Sequence, residues 1–211
     1  DRQSNPTIAP YAKDTESILR ITASAKTTEE AEKIIEPIAE EIYRRFGDSV
    51  YAEGETSIQE TVAKILIDKK VTIAVAESCT GGLVAAKLIE YPGISEVLLE
   101  GAVTYSNEAK KRRLGVKDET GSAYGAVSAE TAAEMAKGIA MTSGADIGVS
   151  TTGVAGPGPS EGKPEGLVYV GVYMGGKSYV KELHLAGKRN VIRERAAYSA
   201  LDFLRRKLIL D

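Results

Sequence analysis

Short apolar segments with high β propensity alternate with helix-like segments through most of this 211-residue chain. Strands that alternate with helices join into one sheet, with the helices packed on its two faces. The last two strand-like segments have only a glycine turn between them and predict a hairpin. The pattern therefore predicts an α/β fold, a three-layer α/β/α arrangement with a mixed sheet. Strands are predicted at residues 71–76, 98–105, 146–152, 167–173 and 178–183, and helices at 57–70, 83–91, 107–114, 128–141 and 190–208.

The first part of the chain predicts a small unit of its own. Pro6 and Pro10 are typical of an irregular start. Residues 18–22 predict a strand, and residues 49–52 are interpreted as a second strand. A helix between these strands would complete a small β-α-β unit.

The helix of this unit begins at a capping box, in which Thr27 is the N-cap and Glu30 is its partner. Apolar residues then recur at spacings of three and four, as one helix face requires. Pro37 lies inside this pattern and is expected to kink or divide the helix. We predict two domains, a small α+β subdomain at residues 1–54 and a larger domain at residues 55–211.

Charge and composition exclude several classes of protein. The chain has 30 acidic and 27 basic residues, whereas a dedicated nucleic-acid binder usually carries a basic excess. One Cys and one His cannot build an internal disulfide or a Cys/His metal site, and we expect no metal and no cofactor. No apolar segment is long enough to span a membrane, and no leader opens the chain, so we expect a cytoplasmic protein. Because the chain starts with Asp1 rather than Met, it is interpreted as a fragment or a processed product.

The strongest chemical feature is the sequence ESCTGG at residues 77–82, where an apolar strand turns into a helix. Such a turn presents a side chain at the carboxyl edge of the sheet and points free backbone N–H groups at whatever binds there. Ser78 is a candidate nucleophile, with nearby amides as oxyanion donors. Alternatively, the turn cradles a phosphate, or it is only an N-cap cluster with glycines for helix packing.

Cys79 and Lys110 are further candidates for the chemistry. A Cys at a helix N-terminus can have a lowered pKa, although a lone Cys is more often a small buried residue. Lys110 lies early in the helix after Tyr105, where the helix dipole disfavours a cation. This position, the following cations at 111–113 and a covering substrate would each lower the pKa of Lys110, so that it could act as a base. The alternative for Lys110 is a solvated, charged helix face.

The Gly/Pro-rich segment at residues 153–166 does not match a phosphate-binding loop. Five residues rather than four separate Gly156 from Gly162, and Pro164 follows the lysine. We interpret the segment as a flap or a wall of the site, with a plain surface connection as the alternative. His184, the only histidine, is interpreted as a structural or surface residue.

Four segments taken together resemble the C-terminal domain family of CinA, the competence- and damage-inducible protein. Their order and spacing agree over about residues 56–211. Residues 1–54 resemble the connecting subdomain of full-length CinA proteins. The four segments are residues 76–82, 103–110, 125–128 and 153–157.

The resemblance implies an activity, a catalytic group and an oligomeric state. The activity of the family is hydrolysis of the carboxamide of nicotinamide mononucleotide to nicotinate mononucleotide and ammonia, in pyridine-nucleotide salvage. The resemblance implies Ser78 as the nucleophile, with Tyr105 and Lys110 completing the catalytic group, and a homodimer without a catalytic metal. Full-length relatives carry a molybdopterin-binding-like domain, linked to ADP-ribose pyrophosphatase activity, which would precede Asp1 here.

Further binding residues follow from the same resemblance. This chain has Gly187-Lys188-Arg189 where the family has Gly-Asp-Arg, so only Arg189 is carried over from that segment. The predicted substrate-binding and oxyanion residues are Thr80, Gly81, Gly82, Thr152, Gly153, Ala155, Gly156 and Arg189. The alternatives are an amidase whose nucleophile is Cys79 and a non-catalytic nucleotide-binding or competence-related interaction module. In every case we expect neither a membrane nor a direct nucleic-acid partner.

These residues predict an acyl-transfer hydrolysis. Lys110 as a neutral amine, or Tyr105 as an intermediary, takes the proton from Ser78, which attacks the carboxamide carbon. Backbone N–H groups of the turn after Ser78 hold the oxyanion. Because those amides cannot also bind the phosphate, we expect the phosphate near residues 153–157. Water then releases the acid from the acyl-enzyme.

Overall fold

The computed structural model describes residues 4–210; residues 1–3 and 211, at the outer ends of the two predicted domains, lie outside the described residues. The chain divides into two compact units, Asp1–Glu53 and Gly54–Asp211. Within the described residues, the first unit holds a two-stranded sheet and one long helix, and the second holds a five-stranded sheet and six α-helices.

The N-terminal unit has a ββα arrangement. Strands β1 (Thr7–Ala12) and β2 (Ser17–Thr22) pair antiparallel, and helix α1 (Thr28–Phe46) follows them. The side chain of Thr27 caps this helix by accepting the N–H of Glu30. The unit confirms the predicted α+β class of the subdomain.

Two expectations for this unit are wrong. Residues 49–52 form no strand, and the partner of β2 is β1, which contains Pro10. Each strand of a two-stranded sheet has one unpaired edge. A proline whose missing N–H falls on that edge does not interrupt the hydrogen bonds between the strands. Pro37 does not divide α1, which continues through it as one helix. A proline removes one helical hydrogen bond, and the bonds on both sides, together with the Thr27 cap, keep this helix continuous.

The larger unit confirms the predicted three-layer α/β/α class, with helices on both faces of a mixed sheet. Its strands are β3 (Ile73–Glu77), β4 (Leu98–Val103), β5 (Ile147–Gly153), β6 (Leu167–Met174) and β7 (Lys177–His184). The strand order is β4-β3-β5-β6-β7, in which β3 is parallel to β4 and β5, and the pairs β5-β6 and β6-β7 are antiparallel. Its helices are α2 (Ile58–Lys69), α3 (Leu83–Ile89), α4 (Asn107–Leu114), α5 (Asp118–Tyr124), α6 (Ala129–Ser143) and α7 (Arg189–Leu210).

Helix starts in this unit follow local capping rules. Ser57 and Glu60 form the predicted capping box of α2, and the Ser128 side chain caps α6 by accepting the N–H of Thr131. Helix α5 was not predicted. Among the described residues, no helix combines the length and the apolar composition that a membrane crossing requires.

Side chains of the strands alternate between the two faces of the sheet. Ala76 of β3 belongs to a core cluster with Met135 of α6. Cys79 belongs to another cluster, with Ile192 of α7. Ser78 continues the alternation of Ala76 and therefore lies on the α6 side of the sheet, where the carboxyl ends of β3, β4 and β5 meet.

Candidate active site

The structure brings Ser78 and Lys110 together at the carboxyl edge of the sheet. Ser78 follows β3 directly, and its N–H continues the ladder by donating to the carbonyl of Thr151 at 2.9 Å. Lys110 is the fourth residue of α4, which the Ser106 side chain caps. Lys110 Nζ donates to Ser78 Oγ at 3.0 Å. A hydroxyl and an amine therefore stand in direct contact, as proton transfer between them requires.

Burial controls the charge of Lys110. The residue is only 3% exposed, and this loss of water lowers its pKa below the ordinary value of lysine. Interactions with Cys79 and Glu161 act in the opposite direction and raise the pKa. The Nζ atom also donates to the carbonyl of Tyr105 at 3.2 Å. The lowered pKa makes the neutral, basic form of Lys110 more accessible than in a solvated lysine.

Two of the three cations that follow Lys110 are paired with acids. Lys111 forms an ion pair with Asp118, and Arg113 forms one with Glu100. An opposite charge in direct contact offsets much of the field that each cation exerts on Lys110. The protein itself therefore lowers the pKa of Lys110 by burying it, before any substrate covers the site.

A buried carboxylate that the sequence analysis did not single out organises the turn after β3. Glu77 is 2% exposed. Its carboxylate accepts the N–H groups of Gly82, Val84 and Ala85 at 2.9, 3.1 and 2.9 Å. The Thr80 hydroxyl donates to the same carboxylate at 2.6 Å. The carboxylate lies at the N-terminus of α3, where the helix dipole favours an anion. Its signal in the sequence was an acid at the end of an apolar strand, before the turn that leads into a helix.

Two of the three amides that were predicted to hold an oxyanion or a phosphate, those of Gly81 and Gly82, already have internal acceptors, which does not support this prediction. The Gly82 N–H donates to Glu77, and the Gly81 N–H donates to the carbonyl of Ser78 at 3.2 Å. Both glycines have positive φ, 62° and 99°, which lets the chain fold back onto the carboxylate. An internal anion therefore occupies the place that the prediction gave to a ligand.

Cys79 is a core residue in this structure. It is 6% exposed and packs with Ala155, Val168 and Ile192. Burial raises the pKa of the Cys79 thiol to about 12. Because the thiolate is the nucleophilic form, a thiol that stays protonated at neutral pH argues against the Cys79 alternative.

The Tyr105 side chain points away from the Ser78–Lys110 pair. Tyr105 is 59% exposed, and its phenol oxygen accepts a hydrogen bond from Arg189 at 2.9 Å. Arg189 also donates to the carbonyl of Gly156. Tyr105 contacts Lys110 through its backbone carbonyl instead. The geometry therefore does not support the phenol as a proton intermediary, and Arg189 serves here as a bridge between the end of β4 and the Gly/Pro segment.

The predicted binding residues at the end of β5 are held inside the protein. The Thr152 hydroxyl donates to the carbonyl of Ala126 at 2.7 Å. A Cβ on Gly153 would lie 2.6 Å from the side chain of Val168, so close packing requires glycine there. Ala155 is 4% exposed. These contacts do not support the expected phosphate site at residues 153–157.

A recess lies beside Lys110, between α4 and α5. Its volume is about 230 Å³, slightly below the roughly 300 Å³ at which small-molecule pockets usually begin. A planar ring or a phosphate would fit it better than a whole nucleotide. The residues that line it include Asn107, Lys110, Ser122, Ala126 and Thr131.

Two more residues contact the site without having been predicted. Arg193 donates to the carbonyl of Thr80 at 2.8 Å, and its signal was the helical spacing of four from Arg189. The Glu161 carboxylate accepts the N–H of Ala126 at 3.1 Å. No local sequence pattern predicts this contact, because the two residues are 35 positions apart.

His184 lies away from the site, as predicted. It ends β7, is exposed and contacts Glu182 at 2.7 Å. Among residues 4–210, no three His, Cys, Asp or Glu side chains form a group that could hold a metal ion.

The fold and the site define an α/β domain with a Ser–Lys pair at the carboxyl edge of its sheet. Residues 55–208 match the family model of the CinA C-terminal domain, and residues 1–52 match that of the damage-inducible protein CinA KH domain. The chain belongs to the CinA family.

Curated relatives and solved structures agree with this assignment. A Clostridium novyi relative named as a competence-damage inducible protein is 58% identical over 210 residues, which are 99% of this chain and 51% of the relative. A Clostridium acetobutylicum relative of the same name gives the same values. The chain therefore spans about half the length of the curated relatives it matches.

Solved structures match most of this chain. The structure of a CinA superfamily protein from Klebsiella pneumoniae has a TM-score of 0.71 and 34% identity, and the match covers 73% of this chain and 97% of that one. A competence/damage inducible protein from Agrobacterium tumefaciens has a TM-score of 0.67 and 38% identity, with 75% and 99% covered. Both structures are thus matched over nearly their whole length.

Proposed function

We propose that the larger unit hydrolyses the carboxamide of nicotinamide mononucleotide to nicotinate mononucleotide and ammonia. The observation that carries this proposal is the 3.0 Å contact between Ser78 Oγ and Nζ of the buried Lys110. A lysine whose pKa is lowered can act as a base, and Ser–Lys pairs perform acyl transfer on unrelated folds. The substrate is the one that the resemblance to the family implies.

Lys110 moves the protons in this mechanism. As a neutral amine, Lys110 accepts the proton of Ser78 while Oγ forms a bond to the carboxamide carbon. The ammonium of Lys110 then gives its proton to the leaving nitrogen, the C–N bond breaks, and ammonia departs. Water attacks the resulting ester, with Lys110 again as the base, and Ser78 regains its proton. The reaction consumes one water molecule and needs no oxidant or metal.

The charge of Lys110 supports the tetrahedral intermediate in this proposal. Once protonated, Lys110 places a cation about one hydrogen bond from the reacting centre, where it stabilises the developing oxyanion. The Gly81 and Gly82 amides are not given this role, because their N–H groups already have acceptors inside the turn. The recess beside Lys110 is the proposed approach for the amide-bearing ring.

The test is ammonia release from nicotinamide mononucleotide by the purified chain. Ser78→Ala should lower the rate by about 10³-fold or more, while the fold and ligand binding persist, because the change removes one oxygen. Cys79→Ala is the matched control at the next position and should keep activity within a few-fold of wild type. The rate should also survive exhaustive chelation.

Three outcomes would contradict the proposal. Loss of activity in Cys79→Ala but not in Ser78→Ala would make Cys79 the nucleophile. Loss on chelation that a divalent ion restores would show a metal requirement. Binding of the mononucleotide without ammonia release by the wild type would favour a non-catalytic nucleotide-binding module.

A further inference from the structure

Glu161 occupies an unusual backbone position at the tip of a tight turn. Ser160 and Lys163 pair through two backbone hydrogen bonds of 3.0 and 2.9 Å. The two residues between them, Glu161 and Gly162, have positive φ, 51° and 71°. Two-residue turns of this kind favour Asn, Asp or Gly at the first position. A glutamate held at positive φ points to a role for its side chain.

The side chain of Glu161 fastens this turn to the segment between α5 and α6. Its Oε2 accepts the N–H of Ala126 at 3.1 Å. A Cβ built on Gly125 would lie 3.2 Å from the same oxygen. The carboxylate is therefore packed closely against the backbone that precedes α6.

A short chain of contacts connects this backbone to the nucleophile. The Ala126 carbonyl accepts the Thr152 hydroxyl at 2.7 Å. Ser78 donates its N–H to the Thr151 carbonyl, so Thr152 lies beside Ser78 across the paired strands. Ala126 and Lys110 line the same recess. Glu161 therefore holds, through Ala126, a segment that lines the recess beside Lys110.

Glu161 also acts on Lys110 through its charge. The interaction raises the pKa of Lys110 against the larger effect of burial. Glu161 accepts a backbone N–H rather than a cation. Other charged or titratable groups lie on the elements around Lys110. They include Glu108 and Arg112 of α4, Glu119 of α5, the pairs Lys111–Asp118 and Arg113–Glu100, Cys79, Lys117, Glu77 bound to the amides of α3, and Glu134 bound to the Lys117 N–H and the Thr120 hydroxyl.

We propose that Glu161 is a positioning residue that fastens the tip of the Gly/Pro segment to Ala126 and balances the charge of Lys110 when Lys110 takes the Ser78 proton. The role of Glu161 in catalysis rests on the proposed hydrolysis. The coupling between Glu161 and Lys110 is a property of the folded chain and can be measured without turnover. Removing the carboxylate charge must make the Lys110 cation less stable, so that its proton leaves at lower pH.

The first experiment follows the titration of Lys110 by NMR of its 13C-labelled ε-carbon, with Lys110→Arg to assign the signal. Glu161→Gln keeps an oxygen acceptor for the Ala126 N–H but removes the charge. It should lower the Lys110 midpoint by at least about half a pH unit. The matched control is Glu165→Gln on the same segment, whose carboxylate accepts the Gly158 N–H at 2.6 Å; its Lys110 midpoint should equal that of wild type. Coincident midpoints in wild type and Glu161→Gln would overturn the charge role.

The second experiment separates fastening from charge by hydrogen exchange of the Ala126 amide. Glu161→Ala removes the acceptor and should speed this exchange at least about tenfold, whereas Glu161→Gln should keep it close to wild type. Unchanged exchange in Glu161→Ala would overturn the fastening role.

Kinetics then connect this proposal to turnover. In Glu161→Gln the rising limb of kcat/KM with pH should move to lower pH by the same amount as the NMR midpoint. If the midpoint moves but no variant releases ammonia, the proposed hydrolysis fails and the Glu161–Lys110 coupling stands. If ammonia is released and the midpoint does not move, Glu161 has no part in balancing Lys110.

Discussion

Cys79 and Lys110 flank Ser78, one in sequence and one in space, and burial acts on both by penalising charge. Burial raises the pKa of the Cys79 thiol to about 12 and lowers the pKa of Lys110. An uncharged thiol is a poor nucleophile, whereas an uncharged amine is the form that can act as a base. Burial therefore disfavours Cys79 as the nucleophile and prepares Lys110 as the base.

The pH dependence of turnover tests Lys110 directly. Because a base must be deprotonated, kcat/KM should rise with pH and level off above the pKa of Lys110 in the free enzyme. Since burial lowers this pKa, the apparent value should lie below the ~10.4 of a solvated lysine. Lys110→Ala should remove the limb with most of the activity. Lys110→Arg should not restore it, because a guanidinium stays protonated.

Tyr105→Phe is the matched variant for this pH–rate profile. Its phenol contacts Arg189 rather than the pair, so the rising limb should match that of wild type. A profile like wild type in Lys110→Ala would remove Lys110 from the mechanism. Loss of the limb in Tyr105→Phe would restore the phenol as the proton intermediary.

The turn from β3 into α3 provides hydrogen-bond acceptors for the first N–H groups of α3. The first amides of a helix need acceptors that the helix does not provide. Glu77 supplies them from the last position of β3, and Arg193 of α7 holds the Thr80 carbonyl from the other side. The turn is thereby fixed at both ends, which keeps Ser78 Oγ in its position beside Lys110.

Removing the Glu77 carboxylate should therefore cost considerable stability. Glu77→Ala leaves three amides without their acceptor, and hydrogen bonds to charged groups contribute about 1.5–3 kcal/mol each. We expect the free energy of unfolding in urea to fall by at least about 3 kcal/mol. The control is Glu100→Gln, which removes a partly exposed ion pair with Arg113 and should cost below about 1 kcal/mol. Equal losses in both variants would contradict the role of Glu77.

The elements that were predicted correctly are those encoded by residues close together in the sequence. Buried apolar strands and side-chain caps depend on residues a few positions apart, and β3, β5 and the caps at Ser57 and Ser128 were predicted. Strand β1 was missed because Pro10 suggested irregular structure. Helix α5 was missed because it is short, contains Gly121 and lacks an apolar stripe.

The same distinction applies to the candidate site. Ser78 directly follows β3, and Lys110 lies in the first turn of the helix after β4. Because β3 and β4 are parallel neighbours, their carboxyl ends meet at one edge of the sheet, so the proximity of the two residues could be expected. The acceptor of the Gly82 amide could not be read from spacing alone, because it depends on where the Glu77 carboxylate points. The contact of Glu161 with Ala126 requires two distant loops to meet, and no periodic pattern encodes it.

At the scale of the whole chain, the KH name of the N-terminal family model raises the question of nucleic acid. KH domains clamp the nucleotide backbone with a GXXG loop. Residues 1–54 have glycine only at positions 47 and 54, so this spacing cannot occur there. We therefore propose that this unit has a role other than that clamp, in keeping with its 11 acidic and 7 basic residues.

The edge strand β4 presents an apolar surface that suits a second copy of the chain. Leu99 and Val103 lie on the same face of β4 and are 48% and 53% exposed. Helix α3 flanks this face, since a Cβ on Gly101 would lie 3.0 Å from Ala85. Ile89, one helical turn after Ala85, is 63% exposed. An edge strand with exposed apolar residues favours association, and we propose that the homodimer forms through this surface.

Sedimentation equilibrium tests this proposed dimer. Val103→Glu places a charge within the apolar surface and should weaken the dimer by at least about tenfold, since burying an unpaired charge costs more than 1.4 kcal/mol. Met141→Lys is the matched control, because Met141 is 65% exposed on α6, on the other face of the sheet. It should leave the dimer unchanged. A monomeric wild type would refute the dimer itself, and a Val103→Glu variant as dimeric as wild type would place the interface elsewhere.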